Sequence, residues 1–286
     1  YYQLINAVYH RTKQADPNSR IFAGAITFMD PTFWRAVYFH HYWASGSNAV
    51  FPCDGFNMNC YLNSDLDGQG GSGTGLNPEA WNLLSRVTEL KTIFNTIFPN
   101  KILHWSEFGV ATDNGSPWLV NAISPRTAKE VAGDVALRIK AIAQTVQIVS
   151  RMYYYAFFED SSYPFNSMAL TQDTYHPIDG YYTGTNLYGQ AYALANELEI
   201  EQNYNWFSSL ITDGGTSSVW VTRKNHQSNS NKKLFKTWMG TMTGSTAISY
   251  SLNVGTGASS ATLYTRAYSQ YSPVSQSIPV SANTVI

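Results

Sequence analysis

Apolar residues in the first 200 positions follow two alternating patterns. Apolar positions at helical spacing predict five helices, which span about 1–14, 30–43, 77–98, 124–145 and 186–199. Short, nearly continuous apolar runs predict strands between them, at 20–26, 54–61, 101–107 and 151–160. Strict alternation of helices with buried strands predicts an α/β fold with a parallel sheet.

The pattern changes after about residue 204. Four short segments rich in β-branched and aromatic residues are separated by polar turns, at 217–222, 233–238, 247–252 and 261–265. Their spacing is typical of small antiparallel sandwiches. We therefore expect two domains, an α/β part over 1–204 and a small antiparallel β-sandwich over 205–286.

The composition narrows the classes of function. Aromatic residues make up 15% of the chain and charged residues only 13%, against an average of about 25% charged. Such a surface, rich in Tyr, Trp, Asn, Ser and Thr, is common in secreted proteins that handle sugars. The net charge is −1 and no basic stripe occurs, so nucleic acid is not an expected partner. No apolar run reaches the length of about 18 residues that a membrane span needs.

One segment carries the candidate chemistry. The run 101–107 ends in a carboxylate, Glu107, and Gly109 follows two residues later. A strand that delivers a carboxylate at its carboxyl end and then turns on Gly places that group at the mouth of a sheet or barrel. Trp105 has the same parity as Glu107, so we expect both side chains to point inward.

Metal ions and cofactors are not expected. His40 and His41 are adjacent on a predicted helix, where neighbouring side chains diverge. The segment that begins at Asp65 resembles a calcium loop only faintly, because it lacks a bidentate Glu at the right distance. We interpret it as a loop at the rim of a substrate cleft.

The order of these motifs resembles that of clan A retaining glycoside hydrolases. In that clan the nucleophile ends the seventh barrel strand in a context like the Ser-Glu-Phe-Gly of residues 106–109. Asp54 and Tyr61 match the preceding strand of the clan, with Asn59 where His is common. The resemblance covers about residues 1–199. It implies the C-terminal half of a (β/α)₈ TIM barrel, strands five to eight, followed by the sandwich.

The resemblance also assigns roles to residues. It implies retaining cleavage of an oligo- or polysaccharide with Glu107 as the nucleophile. An aromatic after the eighth strand, Phe157 or Phe158, would form the floor of a sugar subsite. The full set of expected substrate contacts is Asn59, Tyr61, Trp105, Phe158 and Glu159.

The second carboxylate of the clan is the main departure. The acid/base Glu lies before the fourth helix in these enzymes, which places it upstream of Tyr1 and predicts an incompletely represented or processed chain. The expected partners are therefore a carbohydrate substrate and the N-terminal half of the barrel, or another copy of the chain. Weaker partners for Glu107 within the sequence are Asp54, Asp65, Glu159 and Asp160.

Two other interpretations stay open at this point. The chain could be a catalytically inactive, carbohydrate-binding or structural module of an extracellular assembly. It could also be an unrelated α/β protein with an open sheet. The glycoside hydrolase and the non-catalytic module would both lie outside the cell.

Overall fold

The computed structural model describes most of the chain. The described residues are 1–26, 31–46, 49–62, 77–112, 119–157, 167–171, 174–176, 181–183, 187–215, 218–240, 249–281 and 284–285. Within them, no helix is both long and apolar enough to cross a membrane.

A four-stranded parallel sheet forms the centre of the first 200 residues. Its strands are neighbours in chain order: β1 (Phe22–Ile26), β2 (Gly55–Cys60), β3 (Ile102–Phe108) and β4 (Val149–Tyr154). The helices are α1 (Tyr2–Ala15), α2 (Pro31–Ser45), α3 (Leu83–Ile97), α4 (Ala128–Val146) and α5 (Gly189–Glu201). The predicted alternation of helices with parallel strands is confirmed.

The core lies between this sheet and the helices. Phe56 and Met58 of β2 pair with Leu103 and Trp105 of β3, and all four side chains are 0% exposed. The ring of Phe56 packs against Trp34 of α2, Phe94 of α3 and Phe98 directly after α3, at centroid distances of 4.5 to 5.1 Å. Close-packed aromatic side chains therefore fix the helices on one face of the sheet.

The opposite face of the sheet is less buried. On this face, His104 of β3 lies between its partners Asn57 of β2 and Arg151 of β4. Asn57 and His104 are half-buried and Arg151 is exposed. Phe22 stacks on His104 at 4.3 Å between ring centroids. This second face is polar and aromatic rather than aliphatic.

The start of α3 differs from the sequence-based prediction. Residues 78–82 form turns, and the helix begins only at Leu83. Asn77, the first residue of the predicted helix, is buried and donates to the Gly240 carbonyl at 2.8 Å. Asn82 then takes a left-handed backbone, with φ of 57°, directly before the helix. A contact made far along the chain thus overrides the local helical pattern.

The start of α4 is also later than predicted. Thr127 rather than Ser124 caps the helix, through a reciprocal box with Glu130. The Glu130 N–H donates to Thr127 Oγ1 at 3.3 Å, and the Thr127 N–H donates to Glu130 Oε2 at 2.6 Å. Each bond satisfies an N–H that the first turn leaves free.

The remaining strands form small antiparallel sheets. A three-stranded sheet contains β7 (Ser209–Thr212), β8 (Val219–Asn225) and β9 (Lys233–Met239). The other described strands form three antiparallel pairs: β5 (Thr174–His176) with β6 (Tyr181–Thr183), β10 (Leu252–Asn253) with β13 (Thr284–Val285), and β11 (Ala261–Thr265) with β12 (Val274–Ile278). The strands predicted near 217–222, 233–238 and 261–265 are confirmed. In the segment predicted at 247–252, residues 249–251 form no strand and β10 begins only at Leu252; 247 and 248 lie outside the described residues.

The three-stranded sheet packs directly on the α/β part. Trp220 of β8 is buried in the same hydrophobic cluster as the parallel sheet. Trp238 of β9 stacks on Trp220 and donates its indole N–H to Glu79 at 2.6 Å. Five charged side chains, four of them buried and Lys236 nearly so, lie between α4, α5 and this sheet. We call them the lysine–glutamate cluster: Lys140, Glu197, Glu201, Lys224 and Lys236.

Candidate functional site

Glu107 lies at the carboxyl end of β3 and is held through one oxygen. The Tyr61 hydroxyl donates to Glu107 Oε2 at 2.7 Å, and Asn59 Nδ2 donates to the same oxygen at 3.0 Å. Within the described ranges, no donor bonds Glu107 Oε1. The side chain is half-buried, with two donors on Oε2 and none of the described donors on Oε1.

A β-bulge at Ser106 gives Glu107 its direction. Trp105 pairs with Met58 and Glu107 pairs with Asn59, so two steps along β3 match one step along β2. Ser106 is the extra residue. Bulges of this kind re-aim a side chain at the end of a strand. The bulge therefore turns Glu107 toward the face on which Asn59 lies.

Because of the same bulge, Trp105 and Glu107 lie on opposite faces of the sheet, whereas the sequence predicted a common face. Met58 and Asn59 are consecutive in β2, so their side chains point to opposite faces, and their partners follow them. Trp105 is 0% exposed within the core cluster, together with Met58. The prediction assumed that side chains alternate regularly along β3, and this alternation stops at Ser106. Trp105 therefore presents no surface to a ligand.

Ser106 also bonds the residue that bonds Glu107. Its hydroxyl donates to Asn59 Oδ1 at 2.8 Å, and the Met58 carbonyl lies farther away, at 3.3 Å. The Asn59 amide therefore has its oxygen toward Ser106 and its NH₂ toward Glu107 Oε2. Ser106, Asn59 and Glu107 form one directed chain of hydrogen bonds.

Tyr61 is a permanent donor at this site. Its side chain is 1% exposed, and burial together with the hydrogen bond to Glu107 raises the pKa of its hydroxyl far above the ordinary value. The hydroxyl therefore keeps its proton at any physiological pH. The sequence placed Asn59 and Tyr61 beside Glu107, and the structure brings all three together.

Sequence reasoning missed Tyr155. Its ring packs against a small buried cluster of Tyr61, Ala111 and Met168 beneath the site. The residue directly follows β4, and its N–H donates to the Phe108 carbonyl at 2.8 Å. The aromatic run of β4 was visible in the sequence, but nothing in it singled out this position.

Gly109 allows the chain to pass close to Tyr155. A Cβ at this position would lie 2.3 Å from the Tyr155 carbonyl oxygen and 2.5 Å from Met168 Cε. Real Cβ atoms do not approach backbone oxygens so closely, so only Gly fits here. The Gly that follows the Glu-Phe pair is therefore required by packing under the site.

The other candidates lie elsewhere or outside the described residues. Phe158 and Glu159, together with Asp160 and the loop that begins at Asp65, fall outside the described ranges. Phe157 is described and is 56% exposed.

Asp54 precedes β2 at the opposite end of the sheet from Glu107. Burial opposes its charge, but bonds from the Ile21 N–H and Lys13 hold the pKa of Asp54 below its usual value. It is a structural carboxylate that ties α1 to the sheet.

The histidine pair has separate surroundings. His41 is 3% exposed, with its ring nitrogens bonded to the Tyr2 hydroxyl at 3.0 Å and the Ala49 carbonyl at 2.9 Å. His40 is exposed and makes an edge-to-face contact with the Tyr2 ring, at 5.5 Å between centroids. Across the described positions, no three His, Cys, Asp or Glu side chains form a metal-binding group.

Comparisons with known proteins give limited similarity. No protein-family model matches the chain, and no curated protein sequence matches it. A calcium binding mutant of Bacteroides uniformis beta-glucuronidase 2 is similar in structure, at 12% identity and a TM-score of 0.41, over 96% of this chain and 29% of that one.

The same Bacteroides uniformis protein covalently bound to cyclophellitol-6-carboxylate aziridine matches at 12% identity and a TM-score of 0.41, over 96% of this chain and 30% of that one. The chain therefore spans less than a third of the length of these solved structures. Both structures are of a glycoside hydrolase, a beta-glucuronidase.

Proposed function

We propose that the chain is part of a retaining glycoside hydrolase and that Glu107 is its nucleophile. The observation that carries the proposal is the asymmetric carboxylate. Two donors hold Glu107 Oε2 at the carboxyl end of a parallel strand, and no donor among the described residues bonds Oε1. Enzymes of the (β/α)₈ class keep their chemistry at that end of the strands.

The sheet order supports a barrel rather than an open sheet. In open doubly wound sheets, the strand order reverses at a switch point, where ligands bind. The four parallel strands here are neighbours in chain order, without a reversal. The helices pack on one face, and the polar face with His104 and Arg151 would line the interior. We propose that β1 to β4 are strands five to eight of a TIM barrel.

The chemistry proceeds by double displacement. Glu107 Oε1 attacks the anomeric carbon, the glycosidic C–O bond breaks, and a second carboxylic acid protonates the departing oxygen. Water, deprotonated by that second carboxylate, then attacks the same carbon and releases Glu107. The donors Tyr61 and Asn59 stabilise negative charge on Oε2, which favours Glu107 both as nucleophile before the first step and as leaving group in the second.

The second carboxylate is proposed to come from a segment upstream of Tyr1 or from another copy of the chain. Retaining cleavage needs two carboxyl groups about 5–5.5 Å apart. Among the described residues, the hydrogen-bond partners of Glu107 are an amide and a phenol. Phe158 and Glu159, which come after β4 in the sequence, are proposed as sugar contacts.

The test is the turnover of aryl glycosides by full-length protein carrying Glu107→Gln. Loss of the nucleophile should reduce turnover by at least about a thousandfold, with an unchanged unfolding temperature. Glu89→Gln is the matched control, because Glu89 is an exposed Glu of α3 whose side chain is 62% exposed. Turnover that survives Glu107→Gln at the level of Glu89→Gln would disprove the assignment.

A non-catalytic module is the second candidate. It is supported by Asn59 in the position where the clan commonly has His, and by the lack of a carboxylate bonded to Glu107 in the described ranges. In this case the intact protein would bind oligosaccharides without cleaving them. A glycan-binding assay combined with a reducing-sugar assay separates the two functions.

The location and domain division follow from the same proposal. We propose an extracellular protein, supported by the low charged fraction of 13% and the high aromatic fraction of 15%. We also propose that residues 205–286 form a sandwich domain, supported by the antiparallel sheets of that region. Limited proteolysis between 201 and 209 that released two folded fragments would support the division.

A further inference from the structure

We propose that Ser106 is a positioning residue, which fixes the Asn59 amide so that its NH₂ faces Glu107. The inference rests on the proposed function of Glu107 and gives Ser106 a role at the same site. Ser106 does not contact Glu107 through its hydroxyl; it bonds Asn59 Oδ1 at 2.8 Å.

The bulge makes this contact geometrically available. In a regular strand, Ser106 would point away from the face of Glu107 and could not meet the same neighbour. Because the strand is bulged at Ser106, both residues lie opposite Asn59. A single Asn side chain thus accepts from one of them and donates to the other.

The orientation of an amide decides what Glu107 meets. An Asn side chain can turn either its oxygen or its nitrogen toward a neighbour, because the two ends have the same shape. Turning Oδ1 toward Glu107 would place two acceptor oxygens in contact, with no proton between them. A hydroxyl donor on the far side of Asn59 favours the productive orientation and holds the amide plane in place.

The consequence is control over which carboxylate oxygen reacts. Asn59 and Tyr61 converge on Oε2, so the carboxylate cannot rotate without losing both bonds. Oε1 then stays on the open side. Without Ser106, the amide of Asn59 would rotate and only Tyr61 would hold the carboxylate.

The experiment records the side-chain amide protons of Asn59 by NMR in the full chain. Their signals are identified by their disappearance in Asn59→Ala. In the wild type, the proton bonded to Glu107 should be shifted downfield and protected from exchange with water. Ser106→Ala should reduce this shift by about half or more, and Ser106→Thr, which keeps the hydroxyl, should restore it.

Ser150→Ala is the matched control. The Ser150 hydroxyl also bonds a main-chain oxygen of the neighbouring strand, Leu103 at 3.2 Å, and has no link to Asn59. This variant should leave the Asn59 signals in place. Unchanged Asn59 signals in Ser106→Ala, or equal changes in Ser106→Ala and Ser150→Ala, would overturn the proposal.

The measurement needs no substrate, so its result is independent of the proposed activity. Loss of the Asn59 shift in Ser106→Ala, alongside full turnover in Glu107→Gln, would keep the positioning contact and reject Glu107 as the nucleophile. In an active protein, Ser106→Ala should lower kcat about five- to tenfold and leave KM within about twofold. A change in KM alone would contradict a role in positioning the nucleophile.

Discussion

Lys224 lies buried in a cluster that has more lysines than glutamates, and we predict that replacing it with an apolar residue stabilises the protein. The side chain is 1% exposed, and its ion-pair partner among the described residues is Glu201, at 2.9 Å. The lysine–glutamate cluster holds three lysines against two glutamates, so it carries one excess positive charge when every group is ionised. Burial, with repulsion from Lys236, lowers the pKa of Lys224 to about 8.

The lowered pKa gives the magnitude and its sign. An unfolded Lys keeps its proton up to about pH 10.5, whereas folded Lys224 releases its proton near pH 8. The unfolded state therefore binds more protons between these values, so the free energy of unfolding rises with pH there. The shift of about 2.5 units corresponds to about 3 kcal/mol, which weighs against the folded state below pH 8.

The perturbation is Lys224→Met, studied by urea unfolding at pH 7 and pH 10. At pH 7 the variant should be more stable than the wild type by about 1–3 kcal/mol, because two lysines then face two glutamates. The advantage should shrink as the pH rises through 8, since the wild type loses the buried charge. Lys232→Met, an exposed lysine at the end of the same sheet, should change stability by less than about 0.5 kcal/mol.

Lys236 gives the opposite expectation within the same cluster. Burial disfavours its charge, but Glu197 and Glu201 raise the pKa of Lys236 above its ordinary value. Lys236→Met should cost about 3–5 kcal/mol, because it removes a cation from both glutamates. If Lys224→Met destabilises the protein as much as Lys236→Met, and equally at both pH values, the reasoning about excess charge is refuted.

Three further predictions follow from single contacts. Gly109→Ala should cost about 2–4 kcal/mol in thermal unfolding, because its Cβ meets the Tyr155 carbonyl; a wild-type unfolding temperature would contradict the packing. Tyr61→Phe removes a donor to Glu107 and should lower turnover at least about tenfold with little change in stability, as glycoside kinetics would record. Thr127→Ala opens the capping box of α4 and should lower the free energy of unfolding by about 1 kcal/mol, measured as a lower urea midpoint at an unchanged m-value; an unchanged midpoint would mean that the cap is redundant.

The sequence predicted the elements whose signals are local. Helical spacing around Leu4, Ile5 and Val8 marked α1, and the apolar runs marked β1 to β4, because periodicity depends only on neighbours along the chain. The element ends were less accurate. The start of α3 moved from 77 to Leu83 because Asn77 bonds the Gly240 carbonyl, 163 residues away.

The sequence predicted which residues meet at the site, but not the directions in which all their side chains point. Asn59, Tyr61 and Glu107 do meet, because strands that are neighbours in a parallel sheet bring their carboxyl ends together. The direction of Trp105 was wrong, because simple alternation cannot show a bulge. The register between β2 and β3 decides whether Ser106 is an extra residue, and no local pattern records that register.

The lysine–glutamate cluster was invisible for a related reason. Lys140, Glu197 and Lys224 each look like ordinary charged residues of a solvated face, where such side chains usually lie. Only the packing of α4 and α5 against β8 and β9 buries them together. Burial that results from contacts between distant elements has no signature in any one of them.

The role of Glu107 as a nucleophile is tested most directly by trapping its glycosyl ester. Full-length protein is treated with an activated 2-deoxy-2-fluoroglycoside, digested with trypsin and examined by mass spectrometry. The expected label lies on the peptide 102–126, in which Glu107 is the only Glu. A label on Glu107 at one sugar per chain is the predicted result. Turnover of the parent glycoside with this peptide unlabelled, and the label on another carboxylate, would contradict it.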